Sequence, residues 1–240
     1  ERWNGGITLR KRFKFYDIQT LELKYTHTIV ADTIVKLNPN YFALNTKKQN
    51  FTQLLYTYSY DFRDLIAYPL RGRKFDITLN KVGLLPTDHV DFWEITGAIA
   101  YFFDLGAKFF LTTQVKGKIS KNTNIPYANI RGLGYGNEVV RGYELNVVDG
   151  KSYFLNRNTI KFQLLNKILK LPFLPVKQFN QIPIAIYPTA FYDFAYVSNN
   201  FSENENKLIN QWISGGGLGF DIVTYYNLVC KFGFPISNGS

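Results

Sequence analysis

The sequence predicts an all-β chain, a transmembrane antiparallel β-barrel, on three observations. Apolar and polar residues alternate with period two in almost every segment. The alternating segments run to about ten residues or more, longer than strands of soluble proteins. Short connections on one side alternate with long polar ones on the other, as in barrels that cross an outer membrane. Composition agrees: 46% of the 240 residues are hydrophobic and 17% aromatic, an enrichment that suits strands and membrane-interface girdles. No run of about 18 apolar residues exists, which excludes membrane-spanning helices.

Each element follows from its alternation. In 7–15, Ile7, Leu9, Phe13 and Phe15 oppose Thr8, Arg10, Arg12 and Lys14. After a turn near Asp17, Leu21, Leu23, Tyr25 and Ile29 oppose Thr20, Glu22, Lys24, Thr26 and Thr28. In 53–62 one face is wholly apolar or aromatic, with Leu54, Tyr56, Tyr58, Tyr60 and Phe62. Further strands are expected at 71–83, 92–103 and 107–118, then at 153–165, 182–197, 214–224 and 226–236, about ten in all. Residues 166–179 read as a bent connection, because Pro172 and Pro175 interrupt a helical pattern there. Short connections fall near Asp104 and Asn227, long ones at 38–50, 119–151 and 198–210. A soluble β-sandwich or lipocalin-like barrel also alternates, but it turns its apolar face inward and uses shorter strands.

The net charge of +10 raises the question of nucleic acid. Many of the cations occupy alternate strand positions, as at Arg10, Arg12 and Lys14 or Lys108, Lys116 and Lys118. They read as a polar barrel interior and as loops facing anionic lipid, with no nucleic-acid partner. Cys230 has no second cysteine to pair with and falls on an apolar strand face. His27 and His89 lack metal-ligand spacing, and no nucleophile elbow, phosphate loop or cysteine pair is present. No catalytic residue, metal or cofactor is expected. The chain begins at Glu1 without a signal-peptide pattern and reads as a mature fragment or partial chain.

The long loop 119–151 contains GLGYGNEVVRGYELNVVDG, with Val140, Arg141, Gly142 and Tyr143 as a tetrad among glycines. Connections of this length are usually functional or disordered. This one carries Tyr127, Tyr135, Val139, Val140, Tyr143 and Leu145, enough apolar surface to fold against something. On pattern alone Arg141 reads as a solvent-facing loop charge or as an inward anchor. In 182–197 the even residues Ile184, Ile186, Tyr192, Phe194 and Tyr196 form an outward apolar face, which leaves Thr189, Asp193 and Ala195 inward.

Three motifs occur in order: YDFRDLIAYPLRGRKFDI at 60–77, VRGY at 140–143 and AFYDFAYV at 190–197. With the ending GGGLGFDIVTYYNLVCKFGFPI, they resemble the BamA/TamA-type outer-membrane assembly factors, also called bacterial surface antigen barrels. The resemblance implies that the loop folds back into the barrel and that Arg141 meets Asp193. Val140, Arg141, Gly142, Tyr143 and Asp193 would form a lumenal lock, and Asp61, Arg63, Asp64, Pro69 and Gly72 a strand-end motif. Asp61, Arg63 and Asp64 could pass for a catalytic cluster but read as a polar network.

The resemblance further implies a bacterial outer-membrane location and insertion or translocation of outer-membrane proteins by lateral opening and β-strand templating. The implied partners are unfolded outer-membrane proteins, accessory lipoproteins or other subunits, outer-membrane lipids and lipopolysaccharide. Two departures stand out. Lys161 falls where the family often has a glutamate, so either Glu138 or Glu144 compensates or Lys161 is not the matching position. Family barrels have sixteen strands preceded by POTRA domains, so residues 1–240 are expected to be a single barrel domain, incomplete at both ends, with no POTRA domain. The alternatives are a barrel anchoring a fused patatin-like or phosphoesterase hydrolase, and a passive porin.

Overall fold

The computed structural model describes residues 1–122, 125–170, 181–199, 206–225 and 228–237. They form an 11-stranded antiparallel sheet. Its strands are β1 (Arg2–Arg12), β2 (Asp17–Ile29), β3 (Lys48–Arg63), β4 (Gly72–Val82), β5 (Phe92–Gly106) and β6 (Phe109–Lys121). They continue as β7 (Ser152–Phe162), β8 (Leu165–Lys170), β9 (Gln181–Ser198), β10 (Trp212–Thr224) and β11 (Leu228–Ser237). Among the described residues one short α-helix, α1 (Asp32–Leu37), lies in the 30–47 connection, and Ala43–Asn45 and Tyr127–Asn129 form 3-10 turns. The order is a meander, β1-β2-β3-β4-β5-β6-β7-β9-β10-β11, with β8 pairing β9. Among the described residues no ladder joins β1 to β11, which form the two edges.

One strand was not expected. Residues 165–170 form β8, not a bent connection, and the register explains why. Lys161 pairs with Thr189 and Leu165 with Ile186, so four steps along β7 and β8 match three along β9. One extra residue is accommodated, as in a β-bulge, and β8 continues β7 along the same edge of β9. Lys108 also departs from its expected strand: it forms a two-residue turn with Ala107, at φ +68° and +48°, the conformation a tight hairpin requires. Pro172, Pro175, Asn227 and part of the 198–210 connection lie outside the described residues.

Among the described residues, connections 30–47, 83–91, 125–151 and 206–211 lie at one rim, and 13–16, 64–71, 107–108 and 225 at the other. All three tryptophans stand at the long-loop rim: Trp3, Trp93 and Trp212 are 53%, 52% and 65% exposed. Phe62, Phe103 and Phe109 are exposed at the short-turn rim. Trp93 and Phe103 are about 33 Å apart along β5, roughly 25 Å in height at the tilt usual for such strands. That height matches an apolar band between two interfacial aromatic girdles.

The core lies inside the curve of the sheet. Ile125 and Ile130 of the long loop pack with Phe51, Val82, Val90 and Phe92 on β3, β4, β5 and the 83–91 connection. Further along, Leu133, Val140, Tyr143 and Val148 pack on Tyr153, Leu155, Ala195, Val197 and Ile213 of β7, β9 and β10. The loop therefore crosses the interior from one wall to the other. Burying each of its large side chains stabilises the arrangement by about 1.5–3 kcal/mol.

Candidate functional site

The tip of the loop is a β-turn. Tyr143 N donates to Val140 O at 2.9 Å, and Gly142, the third residue, has φ +102°, which favours glycine. Glu144 accepts from Gly142 N at 2.9 Å. Lower in the loop, Leu133 and Val148 exchange backbone hydrogen bonds at 2.9 Å in both directions. Tyr127 and Tyr135 both donate their hydroxyls to Asp149, at 2.8 and 2.5 Å. Burial, followed by Asp149, raises the Tyr135 hydroxyl above its ordinary pKa, which keeps it a donor.

The turn presents Arg141 to β9. Arg141 Nε donates to Asp193 Oδ2 at 2.7 Å and Nη2 to Oδ1 at 2.5 Å, a two-pronged pairing that fixes orientation as well as energy. Arg141 N adds a third bond to Oδ2 at 3.1 Å. Nη1 donates to Thr159 Oγ1 at 3.0 Å and Nη2 to Asn158 O at 3.1 Å. The guanidinium lies 4.0 Å from the centre of the Phe191 ring. Asp193 is 0% exposed; Arg141 donates three hydrogen bonds to it, and Arg157, directly opposite on β7, is a second cation that offsets its burial. Alternation along β9 creates the site: Tyr187, Thr189, Phe191, Asp193, Ala195 and Val197 are all buried, while Ala190 and Tyr192 face outward.

One row of the sheet receives the whole tip. Arg157 of β7, Asp193 of β9, Gly215 of β10 and Ser237 of β11 are directly opposite one another. Arg157 holds the loop backbone just before the tetrad, donating to Val139 O through Nε at 3.0 Å and through Nη2 at 2.6 Å, and also to Asn137 O. Arg141 O lies over Gly215, where a side chain would collide, and Gly142 rests against Ser237. The next inward row, Thr159, Phe191, Gly217 and Pro235, supplies the hydroxyl and the ring that flank the guanidinium.

The acidic partners considered for Arg141 are engaged elsewhere. Glu138 pairs with Lys116 and accepts from the Tyr153 hydroxyl at 2.6 Å. Glu144 stays within the turn. Arg141 therefore has one carboxylate, and its remaining donors are met by a hydroxyl and a carbonyl. Lys161 is buried two positions beyond Thr159 and turns away from the tip: its Nζ donates to Pro69 O at 3.2 Å and lies 4.1 Å from the Tyr68 ring centre.

The strand-end motif divides into two parts. Arg63 pairs with Asp61 through Nε at 2.7 Å and Nη2 at 2.6 Å, both on β3. Asp64 does not join them. Its Oδ1 accepts from Leu65 N at 2.8 Å and Leu70 N at 3.0 Å, shaping the 64–71 turn, and Gly72 opens β4 opposite Arg63. The tip of that turn enters the interior. Tyr68, 3% exposed, donates to Asp221 of β10 at 2.8 Å, and Pro69 meets Lys161. Burial first, then the charge of Asp221, raises the pKa of the Tyr68 hydroxyl above its ordinary value.

An Omp85 superfamily domain matches residues 1–239. The chain belongs to the Omp85 superfamily. No curated protein matches the sequence. Among solved structures, this Omp85 chain is similar to BamA from Haemophilus ducreyi lacking POTRA domains 1–3, with a TM-score of 0.65 and 14% sequence identity. The match covers 98% of this chain and 54% of that one, so the chain spans about half the length of the solved structure. At this identity the likeness concerns the fold, that of a BamA barrel. Family and fold together make the chain an Omp85-type outer-membrane protein.

Sequence reasoning missed several of the residues that hold the loop and the turn. Thr159 and Arg157 lie in no motif, and Tyr68, Phe191 and Asp221 lie within the quoted motifs but were given no role. Gly215 stood in a visible glycine run, but nothing in that run pointed to the loop tip.

Proposed function

We propose that this Omp85 barrel is the membrane part of an outer-membrane protein assembly or translocation factor. It would act by opening sideways and templating an incoming strand through backbone hydrogen bonds at an exposed edge. Its substrates would be unfolded outer-membrane proteins, with accessory lipoproteins or other subunits as partners and outer-membrane lipids and lipopolysaccharide around its girdles. The barrel itself would carry no catalytic centre.

The observation that carries this reading is the loop tip, bound by Arg141 to Asp193 and seated against β10 and β11. Such a tip braces the wall of β9, β10 and β11 from within. The loop also crosses the interior, packing on β3–β5 at one side and on β7, β9 and β10 at the other, which disfavours a passive pore. The test is reconstitution of the full-length protein in lipid vesicles with a urea-unfolded β-barrel substrate. The substrate should fold faster than in empty vesicles. Unchanged folding together with a steady, large conductance would favour a porin, and hydrolase activity dependent on an upstream segment would favour a membrane anchor.

A further inference from the structure

The connection 64–71 lies at the short-turn rim, where barrel turns normally remain in solvent. Here its tip reaches the wall formed by β7, β9, β10 and β11. The turn projects as a unit because Asp64 binds both of its arms: Asp64 N donates to Arg71 O at 3.1 Å, and its side chain accepts from Leu65 and Leu70. The Tyr68 hydroxyl donates to Asp221 Oδ2 at 2.8 Å, although the two residues are 153 positions apart in sequence. The Tyr68 ring packs on Tyr187, with centres 5.0 Å apart, and Lys161 grips Pro69 from β7.

The inward face of β10 makes this contact consequential. Its inward positions are Ile213, Gly215, Gly217, Gly219, Asp221 and Val223, in register with Ala195, Asp193, Phe191, Thr189, Tyr187 and Ala185 of β9. Three successive glycines offer no side chain for the interior to hold. β10 is gripped by side chains at two places: Ile213 packs with the long-loop cluster, and Asp221 binds Tyr68, with Val223 packed beside that second site. Asp221 is 7% exposed and Tyr68 3%, so parting them would take from a buried carboxylate its hydroxyl donor and leave it only the cations Lys231, opposite it on β11, and Lys161.

We propose that the 64–71 turn is a lumenal strap, fastening the β3–β4 hairpin to β10 through Tyr68 and Asp221. It holds the β10–β11 pair in place until Tyr68 is released. The strap stands on the contacts above; its release as a step in opening rests on the assembly reading.

Hydrogen exchange of the full-length protein in lipid nanodiscs tests the strap directly. Tyr68→Phe keeps the ring and removes only the hydroxyl, and should make the amides of β10 and β11 exchange about tenfold faster. Asp221→Leu, which removes the acceptor, should do the same, and the pair together should add little to either alone. Wild-type exchange of β10 and β11 in both Tyr68→Phe and Tyr68→Ala would overturn the strap. For release, Tyr68→Cys and Asp221→Cys in a Cys230→Ser background would be joined by a short bis-maleimide. Cross-linking should abolish vesicle-based assembly of a β-barrel substrate, and full activity of the joined protein would overturn the release step. If the wild-type protein is inactive in the same vesicles, the assembly reading fails instead, and the exchange data still decide the strap.

Discussion

Arg141 sits so close to Gly215 that its carbonyl oxygen lies 2.0 Å from where a β-carbon on that glycine would stand. The loop tip and β10 therefore fit only while position 215 has no side chain. Gly215→Ala should displace the tip and lower barrel stability by about 1–3 kcal/mol, the usual range for overpacking. The matched control is Gly97→Ala, where nothing lies within 4 Å and little should change. Denaturant unfolding of the refolded barrel in detergent, followed by tryptophan fluorescence, compares the two.

Arg141→Lys keeps the charge but not the geometry. A lysine cannot reproduce the paired bonds to Asp193 while also reaching Thr159 and Asn158. It should cost about 2 kcal/mol, against about 1 kcal/mol for Thr159→Val, which removes a single neutral partner. Equal effects from the two substitutions would mean that the fork contributes nothing beyond its charge.

Arg157 acts on the loop backbone, because it binds the carbonyls of Val139 and Asn137. Arg157→Met should leave the strands paired and loosen the approach to the tip. Limited proteolysis should then cut within 132–150 several times faster than in wild type, with the fragments still associated. An unchanged cleavage rate would show that the Arg141 contacts alone fix the loop.

Asp64→Ala removes the acceptor for Leu65 N and Leu70 N, so the 64–71 turn loses its shape while the Asp61–Arg63 pair stays intact. A fall in unfolding free energy of about 1–2 kcal/mol is expected, in the range of a lost cap. Asp61→Asn should add less than its own separate loss, because Arg63 links Asp61 to the turn by donating to Ile66 O at 3.3 Å.

The parts of this architecture written in side-chain alternation were legible in the sequence. Period two along β9 placed Asp193 inward and Tyr192 outward, and the same rule located ten of the strands. β8 was hidden because LNKILK spaces Leu165, Ile168 and Leu169 as a helix would, and a one-residue bulge leaves no mark in composition. The carbonyl of Asn158 was invisible for another reason: every residue has one, and only the register brings this one to Arg141. Tyr68 and Asp221 are joined by the closing curve of the sheet, which no local pattern encodes. Lys161 reached Pro69, not the loop tip, because it lies one inward row beyond Thr159.

Arg141 and Asp193 meet as a pair that binds the loop tip to β9. A double-mutant cycle with Arg141→Met, Asp193→Leu and both together, read as unfolding free energy of the full-length protein in detergent, tests it most directly. Arg141→Met alone should cost about 3 kcal/mol, because it leaves the fully buried Asp193 unpaired. The double variant should recover much of that loss, with a coupling of about 2 kcal/mol. Losses that add to within about 0.5 kcal/mol would contradict the account.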